Sequence, residues 1–188
     1  MKQVLISIQP KWVEKICNQI GKKNGKPIYE KVIEVRKTIP KLETPFKCYI
    51  YCTQTRKTGD TWTDGMRLGF DSYRRIRFCN YLEKEETFNG KVIGEFVCDK
   101  VFDITPEFGK FEVETQYVIG WKFEEDDSCL SWEDYHSYLG RKKGFGWHIS
   151  NLKIYDKPKE LSEFRKYSEW LDMPITRPPQ SWCYVEGE

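Results

Sequence analysis

Apolar residues in this chain recur mostly at every second position and in short runs, a pattern that restricts it to a fold built from short strands. In the first run, Lys2 to Ile8, the residues Val4, Ile6 and Ile8 alternate before Pro10 stops the strand. The most telling run is Val32-Ile33-Glu34-Val35-Arg36-Lys37, with Lys31 just before it. One face of such a strand belongs to a core, while the other presents a carboxylate and cations. Neutral polar residues are the ordinary choice on a solvent-facing strand, so these charges suggest a small polar pocket. A solvated strand with paired surface charges is the alternative.

Helical spacing appears early and briefly. Pro10 suits the first helical position, and Trp12, Ile16 and Ile20 recur every four residues until Gly21 ends the helix. A loop of Lys, Asn, Gly and Pro runs on to Tyr29, and Lys47 to Thr53 reads as a further strand. Between Gln54 and Asn89 apolar periodicity fades, and an insertion is expected there whose rings Trp62, Phe70, Tyr73 and Phe78 argue against disorder. A long strand returns from Gly90 to Ile104, with Gly94 marking a bulge or a close backbone approach.

Ser131-Trp132-Glu133-Asp134 starts a short helix with a capping carboxylate, and Gly140 ends it. The segment Gly144-Phe145-Gly146-Trp147-His148 reads as a turn whose backbone can approach a ligand or another strand. A strand from Ile149 to Tyr155, a stop at Asp156-Lys157-Pro158, a charged helix from Lys159 to Trp170 and a last strand after Pro178-Pro179 complete the chain. The sum is one α+β domain of 188 residues, a small mixed β-barrel with flanking helices. The insertion spans about 54–89, and the C-terminal helix and final strand span about 157–188.

Composition narrows the function classes. With 31 Lys and Arg against 29 Asp and Glu, bulk charge does not advertise a nucleic-acid binder, so any such binding is local. Aromatic residues are 15% of the chain and leave rings available for stacking. The seven cysteines include no Cys-x-x-Cys pair, and several sit in apolar runs such as Cys48-Tyr49-Ile50-Tyr51-Cys52. They read as free thiols acting as small buried hydrophobes in a reducing compartment, not as a zinc scaffold. No apolar stretch approaches membrane-spanning length, and a soluble, cytoplasmic protein is expected. No cofactor and no metal are called for, since His136 and His148 are the only histidines and lack the partners of a metal site or triad.

The first strand, the turn Ser7-Ile8-Gln9-Pro10, the helix with Trp12 and Ile16, and Lys31-Val32-Ile33-Glu34-Val35-Arg36-Lys37 closely resemble the start of the ASCH family. Tyr49-Ile50-Tyr51-Cys52-Thr53, Val92-Ile93-Gly94-Glu95-Phe96 and Gly146-Trp147-His148-Ile149 also look like ASCH elements. The resemblance implies a PUA-like β-barrel whose ligand site is the cleft beside the first helix and the glutamate-arginine strand, and whose ligand is RNA or a nucleotide-like molecule. One branch resembles amidohydrolases that deacetylate modified cytidine with a lysine and, three residues later, a threonine nucleophile. Here Lys31 matches the lysine, but Glu34 stands in the threonine's place, and a carboxylate does not inherit a hydroxyl's nucleophilic role.

The candidate ligand-binding residues are accordingly Gln9, Lys11, Glu34, Arg36, Lys37, Thr53, Trp147, His148 and Trp182. Glu34 can accept from an exocyclic amine, Arg36 and Lys37 can hold a phosphate or carboxylate, and Gln9 and Lys11 flank a helix start that favours anions. Trp147 and Trp182 follow turns and can wall a cleft, although packing in the core is the default for tryptophan. Arg74, Arg75 and Arg77, interleaved with rings, form an accessory nucleic-acid patch or, more plainly, a solvated loop. The leading expectation is a module recognising RNA or a nucleotide, without membrane or obligate protein partner. The alternatives are a hydrolase, amidohydrolase or ribonuclease, in which Lys31 or Glu34 handles the proton, and a protein that sequesters a small nucleotide.

Overall fold

The computed structural model describes residues 1–54, 77–79, 85–87, 89–107, 110–113, 128–168 and 173–187. Strands dominate. In chain order come β1 (Lys2–Ile8), α1 (Pro10–Cys17), β2 (Gln19–Lys23), β3 (Lys26–Tyr29), β4 (Ile33–Arg36) and β5 (Phe46–Cys52). There follow β6 (Arg77–Cys79), β7 (Glu85–Thr87), β8 (Val92–Glu107), β9 (Lys110–Val113) and α2 (Trp132–Leu139). The last are β10 (Gly144–Lys159), β11 (Arg165–Lys166), β12 (Met173–Pro174) and β13 (Trp182–Glu186). No helix among the described residues is long and apolar enough to cross a membrane.

The chain divides into two compact units. The first comprises Met1–Asn18, Lys47–Phe96 and Leu152–Glu188, and the second Gln19–Phe46 and Val97–Asn151. In the first unit β1 pairs antiparallel with β13 and parallel with β5, and β11 joins β12 to β13. Because side chains alternate across a strand, Leu5 and Val185 share a face with Tyr49 and Tyr51, and Leu161, Phe164 and Ile175 cover it. In the second unit β4 pairs antiparallel with β10, β9 with β8, and β2 with β3 as a separate two-stranded sheet. Within neither unit does the pairing of described strands close on itself.

The Pro10 start and the α2 helix stand where they were expected. Ser131 Oγ accepts from Asp134 N and the Asp134 carboxylate accepts from Ser131 N, a reciprocal cap, while Gly140 ends the helix at φ +64°. Five expectations need correction, the stop at Asp156-Lys157-Pro158 among them. Helix α1 ends at Cys17, not Gly21, and Ile20 is 61% exposed in β2, because the chain after Asn18 turns into a hairpin. The stretch read as a loop to Tyr29 is that hairpin: Asn24 and Gly25 have φ of +50° and +77°, the positive pair that a two-residue type I′ turn demands.

The glycine-aromatic segment is likewise no turn but the start of β10, which runs unbroken through Pro158 to Lys159. Its glycines permit close packing, since a Cβ on Gly146 would lie 3.0 Å from Ile33 Cγ2 and one on Gly144 2.6 Å from Leu139 Cδ1. The charged helix expected from Lys159 to Trp170 is replaced, as far as residue 168, by a 3-10 turn at Leu161–Glu163 and by β11. Leu161 and Phe164, three residues apart, are drawn onto the core face of Leu5 and Tyr49, and Phe164 meets Tyr49 edge to face at 4.9 Å. Burial has overridden a local helical preference. The expected insertion lies largely outside the described residues, and of it β6 and β7 form a small antiparallel pair.

Gly94 is a close approach, as one of its two readings had it, because a Cβ there would lie 2.5 Å from the Lys153 carbonyl oxygen. Backbone cannot swing aside as a side chain can. Gly94→Ala should therefore destabilise the protein by about 1–3 kcal/mol, read as a shift in the urea midpoint. A second outcome concerns Glu95, for which burial works to raise the pKa but the Tyr155 hydroxyl, donating at 2.7 Å, and Lys47, at 3.3 Å, outweigh it and hold the carboxyl below its usual value. A depressed folded pKa contributes stability above the unfolded value, near pH 4.3, and that stability is lost as pH falls through the folded one. Tyr155→Phe should cost about 1 kcal/mol at pH 7, and its stability gap to wild type should narrow on titration below pH 4.

Candidate functional site

The strand β4 is buried on both faces. Ile33 and Val35 enter the core, but Glu34 and Arg36, expected to face a pocket or water, are also only 5% and 7% exposed. They share a face because they are two apart, and Arg36 Nη2 lies 3.0 Å from Glu34 Oε1. Lys31, just before the strand and 1% exposed, sends its Nζ back beneath it. There it donates to Ile33 O at 2.7 Å and to Ser128 O, and it stands 3.5 Å from Glu34 Oε2. Two backbone carbonyls thus accept from the ammonium, and the Glu34 carboxylate faces it as an ion-pair partner.

The far side of the cluster is built by residues that no local pattern announces. Ser128 Oγ and Tyr135 Oη are 2.8 Å apart, Leu130 N donates to Ser128 Oγ, and the Cys129 thiol donates to Glu30 O at 3.1 Å. Cys129 takes a left-handed backbone, φ +57°, to make this clamp. Glu34 therefore sits between two cations, and its Oε2 is buried without a hydrogen bond among the described residues. A carboxylate so placed has one oxygen committed to Arg36 and one acceptor position unspent.

The other sequence candidates separate into several environments. Trp147 pairs in register with Glu34, but it is fully buried and meets Phe46 edge-on at 5.6 Å and 85°. It is a core ring, not the cleft wall expected of it. Lys37 is exposed with its Nζ 5.0 Å over the Tyr138 ring, and His148, in register with Ile33, has Nδ1 2.6 Å from Asp99 Oδ1. Neither joins the cluster of Lys31, Glu34 and Arg36. Gln9, Lys11, Thr53 and Trp182 belong to the first unit. There Gln9 is exposed at the N-cap of α1 without a side-chain cap bond, and Lys11 Nζ lies 4.1 Å over the Trp12 ring. Thr53 N donates to Ile8 O, and Trp182 packs edge-on against Tyr184. Arg74 and Arg75 lie outside the described residues, and of Arg77 only the backbone, opposite Thr87, is described.

Among the described cysteines, Cys48, Cys52 and Cys98 are buried as small hydrophobes, and Cys17, Cys129 and Cys183 are partly buried. None of the six whose side chains are described is in a disulfide, and burial pushes the Cys17 and Cys98 thiols up to about 12 and Cys52 higher still. Thiols that resist ionisation are poor nucleophiles and poor metal ligands. Among the described residues no group of three or more His, Cys, Asp or Glu is placed to hold a metal ion.

No family model matches the sequence, and no curated protein matches it either. Solved structures do. The ASCH protein of Zymomonas mobilis aligns over 98% of this chain and 87% of its own, with a TM-score of 0.53 at 15% identity. A tyrosine-to-phenylalanine variant of it aligns over 99% and 91%, TM-score 0.54, at 16% identity. A serine-to-alanine variant aligns over 98% and 88%, TM-score 0.53, at 17%. The chain has an ASCH-type, PUA-like α+β fold, and at such low identity the likeness is one of fold.

The cluster has a direct energetic consequence. Removing the carboxylate that stands between these two buried cations takes away the anion they share, so Glu34→Ala should destabilise by about 3–5 kcal/mol in chemical denaturation. Glu34→Gln, which keeps the shape and an acceptor, should cost less, and equal costs would mean that charge balance is not what Glu34 supplies.

Proposed function

We propose that this chain is an RNA- or nucleotide-binding module whose ligand is read by Glu34 and Arg36. The observation that carries the reading is the buried Glu34 Oε2 that accepts no hydrogen bond among the described residues, set in an ASCH-type fold. A buried acceptor without a donor is costly, and an exocyclic amine of a base is a donor of the right kind. Arg36, paired with Glu34 at 3.0 Å, carries the planar guanidinium that suits a phosphate or a base edge. Lys31 supports recognition over turnover. Its Nζ is tied to two backbone carbonyls and faces a carboxylate, contacts that hold it as a structural tether.

Conservative variants test the reading without emptying the site. By fluorescence anisotropy against a pool of short RNAs and against free nucleotides, Glu34→Gln and Arg36→Lys should each weaken binding by about tenfold or more, as loss of a desolvated charged contact does. A folded double variant that binds RNA and nucleotides as the wild type does would overturn it.

A further inference from the structure

Between Cys17 and Lys31 the chain makes a two-stranded hairpin that pairs with no other strand among the described residues. Its tip concentrates charge of one sign. Lys23 and Lys26 stand directly opposite each other across the Asn24-Gly25 turn, with Lys22 beside them, and all three are exposed. Among the described residues none of the three has an ion pair, hydrogen bond or ring contact from its side chain. From Lys15 to Tyr29 the sequence holds no acidic residue at all.

Such an element is poorly explained by its own stability. Like charges directly opposite on paired strands repel, and an isolated two-stranded hairpin in water is marginal. Its strands are also almost wholly exposed, with Ile20 at 61% and Ile28 at 38%. What maintains the hairpin is the turn, whose two positive φ values suit Asn-Gly, and its root. Just beyond β3 the Glu30 carbonyl accepts from the Cys129 thiol, and Lys31 is tethered to Ile33 and Ser128. A fixed base therefore carries an unneutralised cationic tip.

We propose that this hairpin is an electrostatic finger that grips the phosphate backbone of RNA, its three lysines each neutralising a phosphate while Ile20 and Ile28 lie against sugars or bases. Charge complementarity selects the occupant, since a regularly spaced polyanion relieves the repulsion among Lys22, Lys23 and Lys26 and releases its own counterions on binding. The inference rests on the RNA reading of the chain but not on Glu34 and Arg36. It accounts for affinity without sequence selectivity, the part that phosphate contacts supply.

The test is the salt dependence of binding to a single-stranded 20-nucleotide RNA. The triple variant Lys22→Gln, Lys23→Gln, Lys26→Gln should flatten the slope of log affinity against log salt by about 2, and weaken binding by about tenfold to a hundredfold near 0.1 M salt. The corresponding triple arginine variant should retain the wild-type slope. A control removing the exposed Lys142, Lys157 and Lys166 lowers the formal net charge equally and should leave the slope unchanged. An unaltered slope in the hairpin triple variant overturns the proposal, as does an equal loss in the control, which would mean bulk charge. A wild-type protein that binds polyglutamate as tightly as RNA would point to an acidic protein surface and overturn it too, and so would a wild type that binds no RNA. Loss confined to the Glu34 and Arg36 variants removes the finger and keeps the pocket, whereas loss confined to the hairpin variant does the reverse.

Discussion

The second unit is organised around one carboxylate. Glu34 is enclosed between Arg36 and Lys31, and taking three ionised groups out of water costs several kcal/mol for each before any attraction is counted. Apolar side chains of similar volume would fill the same space at lower cost. What they would not do is specify where neighbouring backbone goes. The Lys31 ammonium meets the carbonyls of Ile33 and Ser128, residues 97 apart in the latter case, so the cluster pins a distant segment against β4 in one register. That segment in turn sets Ser128 and Tyr135 in contact and forces Cys129 into its left-handed conformation. The charge cluster buys specificity of arrangement more than stability.

Much of the fold was legible because it rests on local rules. The alternation in Lys2 to Ile8, Pro10 at a helix start, and the Ser131 and Asp134 cap each depend on residues within one turn or one strand of each other. The readings that failed share a different cause. Leu161 and Phe164 are spaced three apart in a charged stretch that resembles a helix, and only the core face of Leu5, Tyr49 and Val185 decides that they form a 3-10 turn. Asn24-Gly25 did carry a hairpin signal, but the flanking strands are lysine-rich and exposed, so the apolar alternation that normally accompanies it is missing.

The site was legible to the same depth. Glu34 and Arg36 share a face by simple parity, and the structure pairs them directly. That they are buried was not readable, because burial depends on residues supplied from far along the chain. Ser128 and Tyr135 carried no signal at all, since a serine and a tyrosine seven apart acquire meaning only when Lys31 arrives between them and β4. Trp147 shows the opposite error: the glycine-rich stretch before it suggested a turn and exposure, whereas Gly146 is small so that β10 can press against Ile33, and the indole is buried.

The hairpin and the buried cluster are consecutive in sequence, and their roles follow from the same two residues. Glu30 and Lys31 close the hairpin and open the strand, and both are held by the Ser128–Cys129 segment, one through its carbonyl and the other through its ammonium. A finger on a loose root would spend ordering entropy on each encounter, about 1–2 kcal/mol for every backbone residue fixed. Anchored at Lys31, the tip is presented with its lysines already assembled, so their mutual repulsion is borne by the fold and not by the binding event. Buried charge at the root and unneutralised charge at the tip are then two parts of one arrangement, in which the interior cluster sets the geometry that lets the exterior one act.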